Sequence, residues 1–237
     1  MNLSHFGGKS RTRQAAVILG AGATRGASFV DASSTILPPL DADFFQQVSR
    51  LDQDGTARRL LGFLRDEYGH ELGISMERFF SEADYTDRFH SELSVDPGPT
   101  VKRYRKALTD FHQVLPRLLR VAANAECDHH GVLASLLDAQ DCVISFNYDC
   151  VVDIALRQRA GKRWDPAKGG YGFVPGAGSE LWKQHLRGRA VQGTIRLLKM
   201  HGSLNWRPSS AGRISLIQPA QLSSTADVII PRRGSRI

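Results

Sequence analysis

Three short apolar runs, each stopped abruptly by small or polar residues, do most to limit what this chain can fold into. They are "AAVILGAG" (15–22), "DCVISFNYD" (141–149) and "TIRLLKMHGS" (194–203). A short apolar run closed by glycine or polar groups is the pattern of a strand buried in a parallel sheet. Three of them, separated by stretches of helical spacing, predict an α/β protein with a parallel sheet flanked by helices. Helices are expected over Asp43 to Leu51 and Thr56 to Tyr68. A longer one is expected over Val101 to Cys127, with Tyr104, Leu108, Phe111, Leu115, Leu118 and Val121 on one face and Pro116 kinking or dividing it. Gly131 to Ala139 and Asp149 to Ala160 read as shorter helices on either side of the second run. Residues 55–130 are therefore expected to form a helical insertion between the first two strands, with "SVDPGPT" (94–100) as a hinge.

A chain of 237 residues can hold one domain carrying a subdomain. Residues 1–14 read as an N-terminal extension and 15–237 as the domain. No apolar run approaches the ~20 residues of a membrane span, and no signal-peptide pattern follows the basic N-terminus. The expectation is a cytoplasmic protein without membrane contact. Cys127, Cys142 and Cys150 contain no CxxC pair, which argues against a disulfide framework and against a zinc ribbon, so no metal is expected. Cys150 is expected to be buried and inert, with a reactive thiol as the alternative.

The net charge is +7, and Lys199, Arg207, Arg213, Arg232, Arg233 and Arg236 face a single late acid, Asp227. A basic tail of this kind can contact nucleic acid; without interleaved aromatics a solvated terminus is favoured. The glycine-rich "GKRWDPAKGGYGFVPGAGSE" (161–180) is either a connector or a binding loop, and Trp164, Tyr171 and Phe173 keep the second reading open.

Each apolar run ends in groups that can bind a ligand. In "LGAGATRGAS" (19–28), Gly20 and Gly22 follow a strand and would let backbone N–H groups approach a diphosphate. Arg25 stands where a dinucleotide fingerprint has its third glycine, which disfavours an ordinary dehydrogenase, and a tight strand-to-helix turn explains the motif nearly as well. Asn147 and Asp149 lie at the carboxyl end of the second run, where open α/β sheets bind ligands. Asn147 can donate and accept; Asp149 can accept from an amide or cap the next helix. His201 closes the third run and would face the same edge as a general base.

"GAGAT" (20–24), "PPLDADFF" (38–45), "FNYD" (146–149) and "KMHGSLNW" (199–206), in that order, resemble the SIR2-like proteins of the sirtuin superfamily. Within them the likeness is to the bacterial antiphage-defence branch. The resemblance implies a Rossmann-like NAD-binding domain and hydrolysis of NAD+, as substrate, at the nicotinamide–ribose bond. It implies that Gly20, Ala21, Gly22 and Thr24 hold the diphosphate, and that Asp43 and Phe44 close over the nicotinamide ribose. Asn147 would orient that ribose and the attacking water, and Asp149 would hold the carboxamide. His201 would be the base, and Gly202 and Ser203 would allow close approach and line the site.

Two departures narrow the implied chemistry. No cysteine follows Cys150, so the four-cysteine zinc module of the deacetylases is missing, and Phe146 stands where they have glutamine. The strands that would hold adenosine should follow "DVIIP" (227–231), so further chain, a homo-oligomer or a defence-system partner is expected to complete the pocket. Besides NAD hydrolase, a non-catalytic NAD or ADP-ribose sensor, an inactive truncated domain and an ADP-ribosyltransferase remain as readings of the same residues.

Overall fold

The strands of the sheet end level with one another, and this places the site. In the computed structural model, which describes residues 14–51, 54–92, 98–123, 125–176, 193–208 and 213–217, β1 (Ala16–Leu19), β2 (Cys142–Ser145) and β3 (Arg196–Lys199) form a parallel sheet in the order β1-β2-β3. Leu19, Ser145 and Lys199 share one register row, so the segments that follow the three strands leave the sheet at the same edge. The protein is a mixed α/β protein with a small parallel sheet flanked by helices.

Only β2 is central. Val143 on β2 and Leu197 on β3 are buried, whereas Ile18 on β1 is 70% exposed. The expectation of three buried strands is thus corrected. An apolar run reports strand character but not position, and β1 lies at the sheet's edge among the described residues.

After β1 come α1 (Ala21–Arg25), a 3₁₀ turn (Asp41–Asp43) and α2 (Phe44–Ser49). The insertion follows: α3 (Gly55–Tyr68), α4 (Met76–Glu92), α5 (Pro99–Leu118) and α6 (Arg120–Ala123). Asp54 caps α3 by accepting from the N–H groups of Thr56 and Ala57. Buried Leu60, Leu61 and Leu64 of α3 and Phe111, Val114 and Leu115 of α5 belong to one core cluster with Phe44 and Phe45. Pro99 opens α5, where its missing N–H is no loss. Pro116 does not divide this helix as expected; α5 runs on to Leu118 and the break falls at Leu119.

α7 (Asp128–Leu136) leads into β2, and α8 (Val151–Ala155) leaves it, passing into a π-helical turn over Leu156–Ala160. A second core cluster lies on one sheet face and joins Val143 and Leu197 to Trp164, Tyr171, Trp206 and Leu216. The last pairing is an antiparallel ribbon of β4 (Trp206–Pro208) and β5 (Ile214–Leu216), which sequence patterning did not indicate.

The aromatics of the glycine-rich stretch belong to this core. Trp164 is fully buried, and Tyr171 and Phe173 set their rings 5.7 and 5.1 Å from Trp206. Gly170 is required there: a Cβ would stand 2.8 Å from both the Asp165 carbonyl oxygen and Trp164 Nε1. For the described part, 161–176, the binding-loop reading gives way to a packed wall. Among the described residues no helix is long and apolar enough to cross a membrane. The N-terminal extension to residue 13, most of the 94–100 hinge, 177–180 and the part of the basic tail from 218 lie outside the described residues. Of the tail's described members, Lys199 is a buried core charge and not part of a solvated terminus, because it pairs with buried Asp153.

Candidate functional site

A cavity of about 240 Å³ opens beyond the shared strand edge. Its wall comes from four separated segments. Ala21 and Thr24 come from α1, Pro38 to Asp41 and Phe44 from the segment entering α2, Phe146 to Asp149 from the turn after β2, and His201 from the turn after β3. The insertion closes it with Met76, Glu77 and Phe80 of α4 and Leu115 of α5, with Leu119 just beyond. All four motifs singled out in the sequence therefore meet at one place.

A directional hydrogen-bond chain ties three walls together. Asn147 Nδ2 donates to the Gly20 carbonyl and to Thr24 Oγ1, each at 2.9 Å. Thr24 Oγ1 in turn donates to Asp149 Oδ2 at 2.7 Å. The other Asp149 oxygen accepts from the Val151 N–H at 3.1 Å, at the entry to α8. Asp149 therefore lines the cavity and accepts from the first N–H of α8, although Cys150, not Asp149, stands at the N-cap position. Thr24 does not stand free for a diphosphate; its hydroxyl is the link between asparagine and aspartate. Asn147 Oδ1 is buried and has no hydrogen-bond partner among the described residues. A buried acceptor left open in this way is costly unless a ligand or water uses it.

His201 is half-buried and sits among aromatics. Its ring lies 5.8 Å from Tyr148 in a stacked arrangement and 5.5 Å from Phe146. Burial, and then the nearby Glu77 carboxylate, push the Tyr148 phenol above its ordinary pKa. Gly202 follows with φ +90°, turning the chain back so that the Leu204 N–H donates to the Tyr148 carbonyl at 2.9 Å.

Several residues expected in the site lie beside it. Ser203 is fully buried, its hydroxyl 4.0 Å from Cys150 Sγ, and it does not line the cavity; nor does Gly202. Asp43 also stays out of the wall, because Arg25 reaches across and pairs with it. Burial raises the Asp43 pKa, but hydrogen bonds led by that of Arg25 outweigh it and hold the carboxyl below its usual range. Asp41, two residues earlier, takes the place at the wall. Its carboxylate accepts from the Glu77 N–H at 2.8 Å. Gly20 and Gly22 flank the cavity without lining it. Nothing lies within 4 Å of where a Cβ would stand at either, so their backbone is open to close approach. Cys150 is wholly buried, and burial drives its thiol pKa up, as fits an inert packing residue.

Sequence reasoning missed Asp41, Glu77, Phe146 and Tyr148 as wall residues. It also missed Lys199, whose charge at the end of an apolar strand was a usable signal. The wall is mainly apolar, and its charged groups are acidic: Asp41, Glu77 and Asp149 line it, and among the described residues no lysine or arginine does. What fold and site define is a mixed α/β protein with an aromatic, acid-walled cavity at the carboxyl edge of its sheet. Comparison with protein-family models and with curated proteins gives no match.

Proposed function

We propose that the chain is a SIR2-like, Rossmann-like NAD-binding domain that hydrolyses NAD+ at the nicotinamide–ribose bond, and that it acts as an antiphage defence effector. The observation that carries this reading is the convergence of four distant segments on one cavity, joined by the Asn147–Thr24–Asp149 chain. Two further features fit such a ligand. The open backbone at Gly20 and Gly22 suits a diphosphate close by, and the unpartnered Asn147 Oδ1 suits a ribose hydroxyl or water. At about 240 Å³ the cavity is smaller than the ~300–1,000 Å³ of pockets that enclose a whole drug-sized ligand. It suits the nicotinamide–ribose end, and its carboxylates favour the cationic ring over the anionic diphosphate.

NAD+ supplies the labile glycosidic bond, and the protein's residues do the rest. Asp149 holds the carboxamide, Asn147 orients the ribose and the incoming water, and His201 takes a proton from a ribose hydroxyl or that water. The test is nicotinamide release by the purified chain. His201→Ala is expected to lower the rate by about 10²-fold or more, within the usual range for losing a general base. Asn147→Ala should also abolish most turnover. Release unchanged in both variants refutes these assignments. Thermal stabilisation by NAD+ or ADP-ribose without product identifies a sensor instead, and ADP-ribose transferred to protein identifies a transferase.

A further inference from the structure

Beneath the cavity, β3 ends in a lysine sealed from solvent. The Lys199 side chain is 0% exposed, as is its partner Asp153, whose Oδ2 lies 3.1 Å from Nζ. The same ammonium donates to the backbone carbonyl of Asp149. Asp153 also accepts from the Tyr171 hydroxyl at 2.5 Å, and that hydroxyl accepts from Asn205 Nδ2 at 3.1 Å. Burial favours the neutral amine, but Asp153, Cys150, Asp149 and the hydrogen bond to Asp153 together outweigh it and hold the Lys199 pKa above its ordinary value.

Stability alone does not explain such a pair. Buried ion pairs are often matched or bettered by apolar residues of similar volume. What apolar residues cannot replace is the donor to the Asp149 carbonyl. That carbonyl belongs to the residue whose side chain completes the polar chain at the cavity. The preceding carbonyl, of Tyr148, is held by the Leu204 N–H. Two consecutive carbonyls of the β2 turn are thus gripped by one short segment of the β3 turn, and His201 lies between the two grips, stacked on Tyr148.

We propose that Lys199 is a positioning residue: its ammonium fixes the Asp149 peptide and so sets the spacing of Asp149, Tyr148 and His201 around the cavity. Asp153, steadied by Tyr171, keeps the ammonium aimed. Lys199 reaches no ligand and acts only through the turn it holds.

The test separates this role from simple core stability by using the double variant Lys199→Met/Asp153→Leu, which leaves no unpaired buried charge. Its melting temperature is expected to fall modestly, because the Tyr171 hydroxyl and the Asp149 carbonyl each lose a partner while no charge is left unpaired. The His201 ring resonances, identified by their loss in His201→Ala, are expected to move as its stack on Tyr148 and its contact with Phe146 are displaced. NAD+ cleavage is expected to lose about 10²-fold in kcat, the scale of an ångström misplacement of a catalytic group, with a smaller change in KM. A stable double variant with unmoved His201 resonances overturns the proposal. If the double variant does not fold, the ligand-free wild type decides. A scalar coupling between the Lys199 ¹⁵Nζ and the Asp149 carbonyl ¹³C supports the clamp, and its absence overturns it. The kinetic arm rests on the NAD+-cleavage reading; the resonance and coupling arms do not. A wild type that leaves NAD+ intact therefore removes that reading while Lys199 is still decided.

Discussion

Thr24 is 3% exposed and uses its one hydroxyl twice, accepting from Asn147 and donating to Asp149. Thr24→Val keeps the shape and removes the hydroxyl, leaving a buried amide hydrogen and a carboxylate oxygen short of a partner. The expected cost is about 2 kcal/mol, the scale of an unsatisfied buried polar group, read as a lower midpoint in urea unfolding. Thr24→Ser keeps both bonds and should stay much closer to the wild type. At the same scale Arg25 shows what a motif departure does. Standing where a dinucleotide fingerprint has glycine, it swings away from the cavity, donates to the Pro38 carbonyl and pairs with Asp43. It thereby ties α1 to the proline-led segment of the wall.

Among the elements, α3 and α5 carry the insertion, and their anchoring is measurable. The Asp54 carboxylate caps α3 and also accepts from Arg117 of α5 at 2.6 Å. The Ala57 N–H and then the Arg117 guanidinium hold its pKa below the usual value. Because the folded-state pKa is depressed, the contribution of Asp54 is complete above the unfolded value of about 3.9. It is lost as pH falls through the lower folded value. Asp54→Ala is expected to cost about 1 kcal/mol at neutral pH. The gap between the two proteins should close progressively below about pH 4, as followed by thermal melts across acid pH. A gap that stayed constant to strongly acid pH would show that Asp54 acts by some means other than its charge.

Across the whole molecule, the insertion and the sheet edge form the cavity jointly, so the core of one should reach the function of the other. Phe111 of α5 is fully buried and packs 5.4 Å from the ring of Phe44, which lines the cavity. Phe111→Ala is expected to destabilise by about 3–5 kcal/mol, the usual cost of removing a buried aromatic. If the domain remains folded, ligand affinity should fall as well, because the Phe44 wall loses its backing. Denaturant unfolding and a binding titration on the same sample read both effects. Leu72, a non-glycine residue at φ 49°, lies in the turn between α3 and α4. Its 7% exposure shows that core packing holds it in a backbone region leucine seldom takes.

Much of this was legible in the residues themselves. Apolar runs ended by glycine, asparagine and histidine determined three parallel strands and the edge at which chemistry would gather, because strand burial and strand termination both follow from side-chain polarity. Helical spacing marked α3 and α7 to within a few residues and the start of α5, but it carried α5 on to Cys127 where the helix ends at Leu118. Only tertiary structure decided that β2 is central and β1 and β3 flank it, since Ile18 and Ile144 look alike in sequence. The same holds for Asp41 facing the cavity while Asp43 pairs with Arg25, and for the aromatics after residue 161 forming core. The Lys199 grip on the Asp149 carbonyl was equally invisible, because it joins groups fifty residues apart. Local pattern fixes what a segment can become. Which groups face each other across a cavity depends on contacts between distant segments, and those exist only once the chain is packed.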